Sequence, residues 1–364
     1  MEQHPAYEQG EEIWEVMEQY DLNPTVLQYT GGVWRVVTDE GVFALKKSPS
    51  SKEKLLLLNE MLTSAQKEGF PHLITWKLTK QGEPIAEIRE EIWYASPWKE
   101  PVGIGEPETK PSAKELVQSI AQFHRVCEKL VKEYPELTPT FNKDLVDDWK
   151  ESRDHFIDLT RFQEEREFRS PFDQVVYTNQ DHVERMFNFA IKGMERLIET
   201  EQGKYPRTTL CHRRVHPSNV VYDDQDYYFI DFDHAEVDTP IRDLALVLRR
   251  YTKEKGYSET PDELIQCYHE VNPLQPIEKK LLALYLLYPE RLLKALRHYY
   301  ESPQIAQQES QCVKHLEAEF RHYDGLQDVA RNLWSTKITK QEEKKKPTAV
   351  RPVTRDRRKG KRKT

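Results

Sequence analysis

The sequence predicts an α+β chain in two lobes: a small antiparallel β lobe with one helix over residues 1–100 and a larger helical lobe over 101–335. A disordered basic tail follows over 336–364. Three observations carry this. From Leu27 to Ala95 apolar residues alternate with period two between turn residues, as half-buried antiparallel strands require. A proline-rich link (Pro97, Pro101, Pro107, Pro111) follows, and beyond it the apolar spacing becomes helical. Finally, Lys340 to Thr364 holds twelve Lys and Arg against three acids and almost nothing apolar to bury, which is the composition of a disordered segment.

In the first lobe, Val33–Thr38 and Val42–Lys46 flank Asp39-Glu40-Gly41 and read as a hairpin. Leu73–Leu78, Ile85–Arg89 and Ile92–Ala95 read as three more strands, with a turn at Gln81-Gly82-Glu83. Between the two sets, Ser50-Ser51-Lys52-Glu53 has capping-box spacing ahead of Leu55, Leu58, Met61 and Leu62, and Gly69 is placed to stop that helix. In the second lobe, Ser112-Ala113-Lys114-Glu115 is another capping box, opening a helix of Leu116, Ile120, Phe123, Cys127 and Leu130 that runs until Pro135. Helices are expected at 144–168, 173–200, 242–254, 261–271, 277–301 and 304–334. One small hairpin interrupts them, Val220–Tyr222 against Tyr227–Ile230 across Asp223-Asp224-Gln225-Asp226.

Composition excludes several classes. At 364 residues the chain has room for roughly two domains and a cleft between them, and it is no stapled mini-protein. Thirteen glycines are about half the usual share, which argues against a glycine-rich phosphate loop. Cys127, Cys211, Cys267 and Cys312 are too scattered for a paired metal motif or a disulfide framework, and read as reduced thiols. The acidic start, Met1-Glu2-Gln3, lacks the basic-then-apolar pattern of a secretory signal, and no apolar run approaches a membrane span. The protein is therefore expected to stay in the cell that makes it. The net charge of −8 divides into +9 on Lys340–Thr364 and −17 on the rest, so the tail is suited to an acidic or polyanionic surface, its own body included.

Polar residues crowd the edges of the small hairpin. Cys211-His212-Arg213-Arg214-Val215-His216-Pro217-Ser218-Asn219 precedes it and Asp231-Phe232-Asp233 follows it. Asn219 and Asp231 thus sit at neighbouring strand ends, an amide oxygen and a carboxylate of the kind a nucleotide-bound magnesium favours. Capping of the hairpin is the alternative role for both. Pro240-Ile241-Arg242-Asp243-Leu244-Ala245 then opens a helix with an acid that reads as buried.

With these motifs on the page, the chain resembles the aminoglycoside-phosphotransferase-like branch of the protein-kinase fold. Members of that branch show H-x-D-x-x-x-x-N, then I-D-F/W-D, then P-x-x-D-L-A; His212, Asn219, Asp231 and Asp243 fall in register with them over roughly residues 25–330. The resemblance implies nucleotide binding through Lys46, paired with Glu60, with magnesium on Asn219 and Asp231, and with His212 and Asp243 as structural anchors of the loop. Lys47 points to the opposite strand face from Lys46 and apolarity does not choose between them. Asn59 competes with Glu60 for the same place. Within the branch, the sequence is most similar to the CotS-type spore coat proteins of endospore-forming bacteria.

One departure dominates. Two residues after the histidine, active relatives carry the Asp that orients or deprotonates the acceptor hydroxyl, and here that position is Arg214. A guanidinium stays protonated and cannot act as general base. Gly31-Gly32 also gives two glycines where protein kinases have three. The resemblance then implies a non-catalytic, kinase-like coat component that is made in the mother-cell cytoplasm, deposited on the spore, and bound to other coat proteins, with Mg²⁺ and ATP as its cofactors if any. The alternatives are an ATP-dependent kinase using another acid, with Asp233 nearest, and a polyanion-binding module acting through residues 340–364.

Overall fold

The computed structural model describes residues 5–99, 112–139, 144–164, 167–223, 226–251, 259–302 and 308–335. The basic tail over 336–364, most of the proline-rich link and the hairpin turn at 224–225 lie outside them.

Helix α1 (Pro5–Gln19) leads into strands β1 (Val26–Thr30), β2 (Val33–Thr38) and β3 (Gly41–Ser48), then α2 (Lys52–Lys67), β4 (Ile85–Ile88) and β5 (Glu91–Pro97). The five strands form one antiparallel sheet in the order β1-β2-β3-β5-β4. Gly31 and Gly32 both have positive φ, 57° and 84°, so β1 and β2 are joined by a two-residue turn of the kind that glycine permits. Ser51, rather than Ser50, caps α2, accepting from the Lys54 amide, and Gly69 stops the helix with φ 94°.

Two expectations fail here. Leu73–Leu78 is not a strand of the sheet. It makes single bridges, Leu73 to Phe229 and Lys77 to Ala95, because it leaves the sheet to reach the other lobe. Its place in the five-strand count is taken by β1. Helix α1, absent from the sequence reading, packs Ile13, Val16 and Met17, with Tyr20 just after it, on Val36, Leu45, Ala86, Ile88, Trp93 and Ala95, covering one sheet face. The opposite face carries Ile85 and Tyr94, which join Leu55, Leu58, Met61 and Leu62 of α2 in the main core.

The helical part comprises α3 (Ala113–Val131), α4 (Asp144–Glu164), α5 (Pro171–Thr200), α6 (Ile241–Tyr251), α7 (Pro261–Val271), α8 (Pro276–Leu287), α9 (Glu290–Glu301) and α10 (Glu309–Trp334). Capping boxes open α3 at Ser112, α5 at Ser170 and α7 at Thr260; a cap of this kind contributes about 1 kcal/mol. The single helix expected over 277–301 is two, because Pro289 lacks the amide that a continuing helix would need. Beyond Glu278-Lys279-Lys280, helix α8 is apolar on every side and buried from Leu281 to Leu287. It lies so close to α5 that a Cβ on Gly193 would stand 2.4 Å from Leu284.

Two short strand pairs and the turns between them hold the site. Strand β6 (Thr209–Cys211) pairs with β9 (Glu236–Asp238), and β7 (Val220–Asp223) pairs with β8 (Asp226–Phe229) as the sequence implied. The β6–β9 pair went unread, since three residues show no periodicity and the partner lies far along the chain.

Candidate functional site: the cleft at Lys46, Arg214 and Asp231

The choice between Lys46 and Lys47 follows from the sheet. Leu45 is buried under α1, so Lys46 points to the other face, where its cross-strand neighbour is Tyr94. Lys47 returns to the α1 side of the strand and pairs with exposed Glu91 at 2.9 Å. The Lys46 ammonium lies between two carboxylates, hydrogen-bonded to Asp231 and 2.6 Å from Asp233 Oδ2. Glu60 is not brought to it. That acid is exposed on α2, beside the Tyr134 hydroxyl, whose pKa it raises. The place that the resemblance gave to the helix acid is filled by Asp233.

Asp233 is occupied in every direction. Besides Lys46, its Oδ1 accepts from Ser48 Oγ at 2.9 Å, its carbonyl accepts from Ser50 Oγ at 3.1 Å, and its carboxylate faces the Tyr94 hydroxyl. Burial, then the charges of Asp233 and Asp231, push the Tyr94 pKa well above its ordinary value, so the phenol stays protonated and donates. Tyr94 is itself stacked on Trp76, ring centroids 4.3 Å apart. An acid this fully engaged makes a poor general base, and the site residues Tyr94, Ser48 and Ser50 carried no local motif by which to find them.

Asp231 is different. Its side chain keeps 18% of its exposure, its backbone is left-handed (φ 66°, ψ 55°), and both carboxylate oxygens face cations: Lys46 on Oδ1, and Arg214 NH1 at 3.6 Å from Oδ2. Burial pushes its pKa up, but Lys46 and then Arg214 outweigh it and hold the carboxyl below the usual range. Asn219 Nδ2 donates to the Arg214 carbonyl at 2.9 Å, and its Oδ1 has a long 3.5 Å contact from Ser218 Oγ. As placed, the Arg214 guanidinium lies on the side of Asp231 left open by Lys46, where an ion shared with Asn219 would have to bind.

Behind the cleft the loop is anchored deeply. Asp243, wholly buried at the start of α6, accepts from the His212 amide at 2.6 Å, the Arg213 amide at 2.8 Å and His124 Nε2 at 3.2 Å. Burial raises its pKa, but these donors prevail and keep it ionised. His212, also wholly buried, has its pKa lowered by burial. Its partners agree with a neutral ring: Nε2 donates to the Ile230 carbonyl at 2.9 Å, and Nδ1 accepts from the Arg214 amide at 3.3 Å. The two adjacent arginines part company here. Arg213, with φ 66°, turns away from the cleft to Asp238 at 2.8 Å and Glu236 at 3.8 Å, while Arg214 extends into it with 53% of its side chain exposed. His216 caps the turn locally, accepting from the Ser218 amide at 2.9 Å.

Among the described residues, His124, Cys211 and Asp243 bring donor atoms within 4.8 Å of one another. Their bonds are already spent: Cys211 Sγ donates to the Asp238 and Thr239 carbonyls, and burial pushes its thiol pKa far up. The group is scaffolding. No described helix is long and apolar enough to cross a membrane.

The family described as "Spore coat putative kinase YutH" matches residues 14–329, which includes every part of this cleft. The chain belongs to that family. The endospore coat-associated protein YutH of Bacillus subtilis strain 168 is 24% identical over 270 residues, 70% of this chain and 73% of YutH. Among solved structures, an aminoglycoside phosphotransferase from Alicyclobacillus acidocaldarius superposes with a TM-score of 0.71 at 19% identity, over 88% of this chain and 95% of that one. The spectinomycin phosphotransferase APH(9)-Ia, solved with ADP and spectinomycin, gives 0.61 at 17% identity over 89% and 98%. The fold is thus the kinase-like aminoglycoside phosphotransferase fold expected from the sequence, and the spore coat context expected with it is that of the YutH family.

Proposed function

We propose that this protein is a non-catalytic, kinase-like component of the spore coat, working by binding rather than by phosphoryl transfer. The observation that carries the reading is Arg214. It stands at the acceptor-side position where active relatives hold an acid, and its guanidinium lies 3.6 Å from Asp231. A permanent cation there opposes proton loss from an acceptor hydroxyl, and Asp233, the other acid at the cleft, is tied to Lys46, Ser48 and Tyr94. In this reading the lobes over 1–100 and 101–335 are the binding body, other coat proteins are the partners, and the protein moves from the mother-cell cytoplasm to the coat. The resemblance to CotS-type proteins, and to YsxE among them, belongs to the same reading. The nucleotide seen with APH(9)-Ia supports a retained phosphate-binding role for Lys46.

The test is ATP turnover by the purified full chain with a panel of sugars, aminoglycosides and coat extract as acceptors, using Asp231→Asn as the blank. The expected result is no phosphate release or transfer above that blank. Turnover that Asp231→Asn abolishes would overturn the reading.

A further inference from the structure

Resting on the non-catalytic reading and going beyond it, we infer that the cleft binds a polyphosphate chain, nucleoside-borne or free, without a divalent cation, Arg214 taking the part that the ion would play. The argument begins with charge. Exchanging an acid for an arginine changes a site by two units, which is the charge of one divalent ion. The exchanged side chain stands at Asp231, the carboxylate to which such an ion would be expected to bind, and its guanidinium reaches the oxygen that Lys46 leaves open.

The rest of the cleft fits this arrangement. No acid on α2 draws Lys46 away, so the ammonium stays over Asp231 and Asp233 and cancels one of their two negative charges, and Arg214 beside Asp231 offsets the other. The β1–β2 turn has only two residues, Gly31 and Gly32, so it makes no long glycine-rich wrap and leaves phosphate contacts to side chains. Arg214 is free to supply them. At 3.6 Å its contact with Asp231 is an ion pair short of a good hydrogen bond, and half its side chain is in solvent, so it can turn its planar fork onto phosphate oxygens. Its backbone stays put meanwhile, held by His212 Nδ1 on its amide and Asn219 on its carbonyl. A divalent ion arriving with the ligand would meet a guanidinium beside its one available carboxylate. It would therefore weaken binding where in a kinase it enables it.

Binding of ATP, ADP and tripolyphosphate to the purified full chain is measured by calorimetry in EDTA and again in millimolar Mg²⁺. The expected result is binding in EDTA that Mg²⁺ leaves unchanged or weakens, with Arg214→Ala losing about tenfold in affinity in EDTA. Arg214→Asp should invert the pattern, binding ATP only with Mg²⁺. Equal affinity for tripolyphosphate and ATP identifies the phosphate chain alone as the ligand, and tighter binding of ATP adds the nucleoside; both support the inference. Mg²⁺-dependent binding by the wild type overturns it and leaves the non-catalytic reading intact, as does no binding in either buffer. Turnover of ATP would sink the non-catalytic reading instead.

Discussion

Two carboxylates lie on opposite sides of the 212–214 loop, and their surroundings differ sharply. Asp243 is wholly enclosed, and each of its bonds goes to a backbone amide or a buried ring. Asp231 is partly open, lies in the left-handed region, and turns its two carboxylate oxygens to the tips of long cationic side chains. One side of the loop is closed and holds its shape, and the other is open to solvent. The difference teaches that the frame of a kinase-like loop is complete here while its working position has changed chemistry.

Substitutions on either side should separate the two roles. Removing the carboxylate in Asp243→Ala leaves two buried amides without acceptors, so the unfolding free energy in urea should drop by about 3 kcal/mol or more. A loss under 1 kcal/mol would break the contrast. Arg213→Ala removes the nearest partner of Asp238, although Arg242 remains 3.2 Å from that acid, and should cost about 1–2 kcal/mol.

Acidity gives a third probe. His212 has a folded pKa below its ordinary value of 6.5, so the unfolded chain takes up the proton first; its contribution is complete above that value and declines as pH falls toward the lower folded one. Stability measured from about pH 7.5 down to about pH 5 should fall, and a His212→Asn variant should show a shallower slope. An unchanged slope would remove His212 from the frame. The smallest effect belongs to the cleft: Arg214→Ala, next door to Arg213 in sequence, should move stability by no more than about 0.5 kcal/mol, since the side chain is half exposed and its single ion pair is loose.

How much of this was legible in the sequence depended on distance along the chain. The β2–β3 and β7–β8 hairpins and the Ser112 capping box are local patterns, and each appears where it was expected. Lys46 was identified only by register; the physical reason, α1 covering the Leu45 face, required a helix whose periodicity the reading passed over. Glu60 was misplaced because a charged helix surface offers several acids, and only tertiary packing shows that Lys46 is already held by Asp231 and Asp233. Tyr94, Ser48 and Ser50 were invisible because their roles come from a contact with Asp233 made across the cleft, 185 residues away for Ser48. Leu73–Leu78 alternates like a strand and yet serves as a connection, since alternation reports a half-buried extended segment without saying what it lies beside.

That connection has a mechanical meaning. The His72 ring is stacked on Tyr227 with centroids 4.2 Å apart, its carbonyl accepts from the Phe229 amide, and Lys77 donates to Ala95 at the other end. Six residues are therefore tied to the β7–β8 hairpin at one end and to the sheet at the other, with Trp76 between them pressed against Tyr94. A load placed on the sheet reaches the hairpin along this short strut without passing through the cleft, and the two halves of the molecule would bear tension and compression as one piece.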